Sequence, residues 1–389
     1  MANNNTKPSS GSEIPSGWKT KKIGDIAKVK HGRDQKKIQV EVGSYPILAS
    51  GGEIGRTNTP IYSKPSVLIG RKGTIDKPRY ADTPFWTVDT LFYTEISEKV
   101  LPKWLFYKFE TINWYLYNEA SGVPSLSSST ISSIKILLPR IPEQKAIAQL
   151  LTTWDNAITK TQSLIAQKEQ RKKWLMQNLL TGKKRLKGFA GKWKKQTYEK
   201  LLKVVKRPVN WDEEKLYNLI SVRRRSGGIF LREALYGHQI KVKDLRTVEE
   251  GDFLFSKMQI LHGASAMVTK EFAHAKISGS YVAVVPKEVK LLKMEFLNWY
   301  SQVPYFYHQT FISSYGVTIE KMTFEFEYFL QLNILLPTVE EQIAIAQVLQ
   351  AADKEIQLLK GKADKLKEQK KGLMQVLLTG KKRLKIKEK

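Results

Sequence analysis

A 52-residue stretch of this chain occurs twice, at residues 136–187 and again at 334–385. The offset is 198 with no gap, and 27 of the 52 positions are identical. Both copies open on ILLP, continue through EQ and AIAQ, and close on LMQ and LLTGKKRLK. A repeat this long means one structural element used twice, with whatever lies between the copies hung from it.

Each copy reads as a long helix. Ile147, Leu151, Trp154, Ile158, Thr161 and Ile165 alternate at spacings of 4 and 3, and the series runs on through Lys168, Lys172, Leu175 and Leu179. The second copy matches it with Ile345, Leu349, Ala352, Ile356, Leu359 and Ala363, ending on Leu377. That alternation is a coiled-coil seam. Thr338 with Glu341 reads as a capping box, Pro142 falls in a first turn, and Gly182 and Gly380 stand where C-terminal glycines belong. About 38 residues at about 1.5 Å give a rod of about 57 Å. So one-sided a helix needs a partner, and the other copy is the obvious one.

Two segments that differ in sequence follow the same order of events ahead of each helix. Ser66–Gly73 is an apolar run ending in a basic loop, as is Gly251–Lys257. A β-rich stretch follows in each, FWTVDTLFYTE at 85–95 and ISGSYVAVVP at 277–286. Next come aromatic helices at 101–117 and 291–307, whose spacing marks core rather than a stacking platform. Gly122-Val123 and Gly316-Val317 come last before the ILLP starts. The expected organisation is therefore a disordered leader (1–16), a globule (17–135), a long-helix region (136–187), a second globule (188–333) and a second long-helix region with a basic tail (334–389). The fold class is α/β (α+β), with pseudo-two-fold symmetry if the helices pack antiparallel.

The formal charge is +28, and every one of these regions is net basic: +7 for 1–135, +8 for 136–187, +7 for 188–333 and +6 for 334–389. Basic charge spread along a whole chain suits a length of duplex nucleic acid, because phosphate contacts add with distance. With 41% hydrophobic residues the chain also builds real cores, unlike a disordered basic tail. Cysteine is absent, which removes disulfides, zinc fingers, iron–sulfur clusters and thiol catalysis. There is no apolar run of 18 residues, so a soluble intracellular protein is expected, and the narrow seam does not suit a membrane surface.

Catalytic signatures are missing. No Asn/Asp-Pro-Pro-aromatic methyltransferase motif, phosphate-cradling GxxxxGK[ST] or HExxH occurs, and the five histidines form no metal-ligand pair at helical spacing. The chain reads as a binder.

The doubled ILLP, EQxAIA and LLTGKKRL motifs around two variable globules resemble the specificity subunit of Type I restriction–modification systems, over about residues 17–387. The resemblance implies two target recognition domains, one per half of a bipartite double-stranded DNA site. The helices would space them and dock two methyltransferase subunits, with coil length setting the unread spacer. It further implies no cofactor in this chain: S-adenosylmethionine belongs to the methyltransferase partner, and ATP and magnesium to restriction subunits. A cytoplasmic location in a bacterium or archaeon follows. The alternatives are a bivalent architectural DNA-binding protein acting alone and an enzyme with an unfamiliar site.

Base-contacting residues are expected among Arg and Lys beside glycines, since a bidentate grip on guanine favours them. In the first globule the candidates are Arg71 and Lys72, together with His31, Arg33 and Lys36 after the first predicted helix. In the second they are Arg223, Arg224 and Arg225 ahead of two glycines, with Lys257 and His262 flanking a loop after a strand.

Overall fold

A strand at the start of each globule is zipped to a strand at its end. In the first, Lys19–Lys22 pairs antiparallel with Lys135–Leu138; in the second, Lys194–Thr197 pairs with Asn333–Leu336. The ILLP motif is thus the closing strand of a globule, and its proline hands the chain to a helix. In this computed structural model residues 14–319 and 322–385 are described. Most of the expected leader, 1–13, and the last tail residues, 386–389, lie outside them.

The chain divides into two compact units: residues 1–162 with 361–389, and residues 163–360. Each therefore contains one globule, the first part of one long helix and the last part of the other.

In the first unit a four-stranded sheet has the order Ala27–Lys30, Leu91–Ile96, Ser66–Gly70, Arg79–Ala81. A second sheet orders Gln39–Val40, Gly52–Thr57, Tyr45–Ala49 and Trp86–Thr87. Its middle is a hairpin, with Tyr45–Ala49 running parallel to Trp86–Thr87 on the other side. The strand Ser66–Gly70 is buried throughout, as expected of an apolar run at the centre of a sheet. Trp104, Tyr107, Phe109 and Trp114 are all buried in the core beneath.

The second unit repeats this plan. One sheet orders Leu202–Val205, Tyr281–Pro286, Phe253–Ser256 and Ser265–Met267. The other orders Ile229–Tyr236, Leu216–Val222, Lys276–Ser278 and Leu245–Thr247, again a hairpin with a parallel neighbour. The two globules differ at the sheet edge: the fourth strand adds to the outer arm of the hairpin in the first, but to the parallel strand in the second. The aromatic helices are shorter than the sequence suggests. Pro102–Glu110 stops at Thr111, whose hydroxyl donates to the Lys108 carbonyl, and Trp114–Tyr117 resumes only as a 3-10 turn. The second run breaks into Met294–Tyr300 and Pro304–Ile312, with Pro304 in the first turn of the new helix.

The long helices span Ile141–Leu179 and Val339–Leu377, 39 residues each, with ends that coincide at the offset of 198. Seam residues are buried or half-buried along both, while their neighbours between positions 159 and 174 face solvent wherever the seam does not run. In the first unit Ile147 and Leu151, early in one helix, share a core with Met374, Leu377 and Leu378, at the end of the other. In the second unit Ile345 and Leu349 meet Leu179 and Leu180 in the same way. The helices therefore pack antiparallel in each unit.

The shared motif explains itself in these contacts. Arg383 donates to Glu143, and Arg185 donates to Glu341, the residues equivalent at the offset of 198. Each arginine also donates to a backbone carbonyl two residues ahead of a tryptophan, Ser16 before Trp18 and Gly191 before Trp193. Each guanidinium lies 5.8 Å from that indole. Ser16, expected in the disordered leader, is thus tied down by Arg383. Glu341, expected to complete a capping box with Thr338, instead gives both carboxylate oxygens to Arg185, because a charge-assisted fork outweighs a local cap. The adjacent glutamines dock the globules. Gln144 donates to the Lys99 and Pro139 carbonyls and accepts from the Leu101 amide; Gln342 does the same with Leu291, Pro337 and Lys293. Seam lysines also find partners on the opposite helix, Lys370 with Asp155 at 2.7 Å and Lys172 with Asp353. Among the described residues no helix is long and apolar enough to cross a membrane.

Candidate DNA interface

The expected basic residues fall on loops that the sheets bring together at one place in each globule. In the second, the hairpin Leu216–Val222 and Ile229–Tyr236 carries Arg223, Arg224 and Arg225 at its tip. That tip docks on the loop that follows strand Phe253–Ser256 and contains Lys257 and His262. The Arg225 amide donates to the His262 carbonyl at 2.6 Å, and the Ser226 amide to the Gly263 carbonyl at 2.9 Å. Arg224 Nε donates to Gln259 Oε1 at 2.8 Å.

Holding the tip there costs backbone strain. Arg225 and Ser226 take φ of +57° and +53°, a left-handed conformation unfavourable to residues with a Cβ. Their two amides on the neighbouring loop, and Ser226 Oγ 3.0 Å from Tyr307 Oη, hold it. Gly263 is required beneath: a Cβ would sit 2.3 Å from Tyr307 Oη, and its φ is +74°. Strain of this kind concentrates where a side chain must be aimed. Arg223 lies over Phe230, 4.4 Å from the ring centroid. Lys257 is half-buried at the rim of a cleft of about 590 Å³ that Lys206, Arg246, Glu325 and Glu327 also line. His262 is half-buried, with its Nε2 enclosed and unpartnered.

In the first globule the candidates flank the segment Thr87–Phe92. Arg71 and Lys72 follow strand Ser66–Gly70, as Lys257 follows Phe253–Ser256. The Arg71 amide donates to the Thr90 carbonyl at 2.8 Å and its guanidinium to the Asp89 carbonyl at 3.2 Å, leaving Lys72 the more exposed of the two. His31, Arg33 and Lys36 do not directly follow a helix. The helix Ile23–Ile26 is a single turn, strand Ala27–Lys30 intervenes, and these residues lie on the exposed loop beyond it. His31 packs edge-on against Phe92, with centroids 4.8 Å apart. The Arg33 amide donates to Thr87, and its carbonyl accepts from Trp86 Nε1. Gly32 lets the loop press on that segment, since a Cβ would lie 2.0 Å from the Val88 carbonyl oxygen. Lys36 is exposed on the loop, its amide donating to Asp34.

Sequence reasoning missed the residues that set these loops. Gln259, Ser226 and Tyr307 lock the second tip, and Arg79 donates to the Ser50 carbonyl at the tip of the first hairpin. None carries a local signal; each is recognised only once strands far apart in sequence are paired. Among the described residues no cluster of His, Asp or Glu could hold a metal ion.

A basic globule built twice, each time closed by a shared helix, defines a bivalent DNA-specificity protein. The chain belongs to the family described as the Type I restriction modification DNA specificity domain, which matches residues 15–168 and again 185–368. It is 22% identical over 435 residues to the type I restriction enzyme MjaVIII specificity subunit of Methanocaldococcus jannaschii, covering 98% of this chain and 96% of that one. Over 181 residues it is 23% identical to the EcoDI specificity subunit of Escherichia coli, covering 44% of this chain and 39% of the relative. The fold is similar to a Type I restriction–modification S subunit from M. genitalium, with TM-score 0.62 and 14% identity over 97% of this chain and 98% of the other. It is also similar to the HsdS subunit from Thermoanaerobacter tengcongensis, with TM-score 0.52 and 14% identity over 95% and 99%.

Proposed function

We propose that this chain is the non-catalytic specificity subunit of a type I restriction–modification complex, reading a bipartite site in double-stranded DNA with one globule per half-site. The observation that carries this reading is the recurrence of one arrangement, a basic loop at the end of a central sheet strand, in two globules of different sequence. Equivalent placement with different side chains is what two readers of two different half-sites need. Arg and Lys on these loops supply base and phosphate contacts, and the doubled helices supply the surface on which two methyltransferase subunits dock. S-adenosylmethionine then belongs to those partners, ATP and magnesium to restriction subunits, and the complex works in the cytoplasm.

The test is reconstitution. The chain alone, with S-adenosylmethionine and DNA, transfers no methyl group; with its methyltransferase subunit it directs adenine methylation to one bipartite motif, mapped by sequencing. Substituting Lys257 and Arg224 by Ala relaxes one half-site and leaves the other. Tight specific binding without any change on adding the methyltransferase favours a bivalent clamp acting alone. Methyl transfer by the isolated chain overturns the non-catalytic assignment.

A further inference from the structure

Each globule holds an apolar side chain out in solvent on a short loop beside its basic loop. Val317 is 98% exposed and Val123 66% exposed, and each follows a glycine. In the first globule the Glu119 amide donates to the Ser125 carbonyl, Asn118 Oδ1 accepts from the Ala120 and Ser125 amides, and Val123 sits within the closed turn. In the second, Ser314–Tyr315 pairs antiparallel with Thr323–Phe324, and Val317 follows this short ladder two residues beyond Tyr315.

Both turns are fastened to the residues already implicated in reading DNA. The Gly73 amide donates to the Pro124 carbonyl at 2.8 Å and the Leu126 amide to the Arg71 carbonyl at 2.9 Å, so Val123 is carried by the Arg71–Gly73 loop. The Phe324 amide donates to the Lys257 carbonyl at 2.9 Å, which fixes the other turn to Lys257. Two globules of different sequence thus each hold a valine on a segment bonded to the basic loop that ends a central strand. Burying apolar surface is favourable, and the same placement in two globules, rather than exposure alone, suits contact with a ligand. The core of a protein–protein interface is depleted of charge, whereas the segments that carry these valines are bonded to the loops of Arg71, Lys72 and Lys257. Duplex DNA satisfies both: phosphates for the cations, and for an apolar side chain the one methyl group that unmodified bases present in the major groove, at C5 of thymine.

We propose that Val123 and Val317 are specificity-determining residues, each packing against the 5-methyl group of a thymine in the half-site read by its own globule. This rests on the DNA-reading function proposed above.

The experiment uses the complex with the methyltransferase subunit and duplexes carrying the mapped motif. Thymines are replaced one at a time by deoxyuridine, which keeps the base pair and removes the methyl. One replacement in each half-site should weaken binding by the wild-type complex about fourfold, the value of one buried methyl at ~0.8 kcal/mol. Val317→Ser should abolish that sensitivity in one half-site and keep it in the other; Val123→Ser should do the converse. Indifference of the wild-type complex to every deoxyuridine overturns the proposal. So does a V317S complex that loses affinity equally for the motif and for random duplex, or one that fails to retain the methyltransferase while its DNA binding is unchanged. A wild-type complex with no preference for the mapped motif sinks the DNA-reading function itself, and is told apart by that control.

Discussion

Arg383 and Glu143, 240 residues apart, form a two-pronged ion pair, with Nη2 donating to Oε2 at 2.7 Å and Nε to Oε1. The carboxylate is nearly enclosed and also accepts from Trp18 Nε1 at 2.9 Å. Replacing Arg383 by Met leaves that carboxylate without its cation, so the first unit should lose about 3 kcal/mol, the lower end for breaking a buried pair because the arginine is part-exposed. The double variant E143Q/R383M should recover part of the loss. Denaturant unfolding checks both, and hydrogen exchange should locate the loss at residues 16–30. Equal loss of protection at 193–205 would show that the pair does not act on its own globule.

Gln144 is the second element of the same motif, buried with three hydrogen bonds to the globule. Gln144→Leu strands the Leu101 amide and two carbonyls, and should cost roughly 2–3 kcal/mol. Gln342→Leu should cost a similar amount in the second unit. A stability change under 0.5 kcal/mol, itself an order-of-magnitude threshold for surface substitutions, would mean water replaces these bonds.

Arg225 separates readout from folding. Its φ of +57° suits glycine, so Arg225→Gly should raise stability by about 1 kcal/mol while relaxing one half-site of the methylated motif. Thermal melting and methylation mapping of the same variant give both results. Retention of full specificity would show that its guanidinium reads nothing.

Lys108 gives the first unit a pH dependence. Its ammonium donates to the Leu378 carbonyl at 2.9 Å, and burial pushes its pKa down to about 8 from 10.5. Between those values the unfolded chain holds a proton that the folded chain has released, so this group makes stability rise with pH across the window. Lys108→Met should flatten that rise, and the gap between wild type and variant should widen in favour of wild type from pH 8 to pH 10.5. Unfolding midpoints that run parallel across the window would refute it.

The helices and their seam were legible because periodicity is local and was stated twice. Even Lys168, Lys172 and Lys370, which break the apolar pattern, kept the seam's spacing, and the structure pairs them with Glu355, Asp353 and Asp155. Glu341 was misread for an instructive reason: a cap is a relation across three residues, whereas its true partner is Arg185, 156 positions away. The basic loops were visible as composition, but not their assembly. Arg225 reaches His262 through backbone groups alone, and backbone groups leave no trace in residue type. For the same reason the exposure of Val123 and Val317 was not to be had from the Gly-Val pairs that contain them.

The division of the chain into 1–162 with 361–389, and 163–360, has a consequence for its synthesis. The first globule leaves the ribosome first but is finished last. At roughly 5–20 residues per second, Glu143 waits about 10–50 s for Arg383 to be made. The second unit, whose Arg185 precedes Glu341, is complete before the chain ends. A messenger truncated just before codon 383 would therefore yield a protein damaged at its beginning rather than at its end.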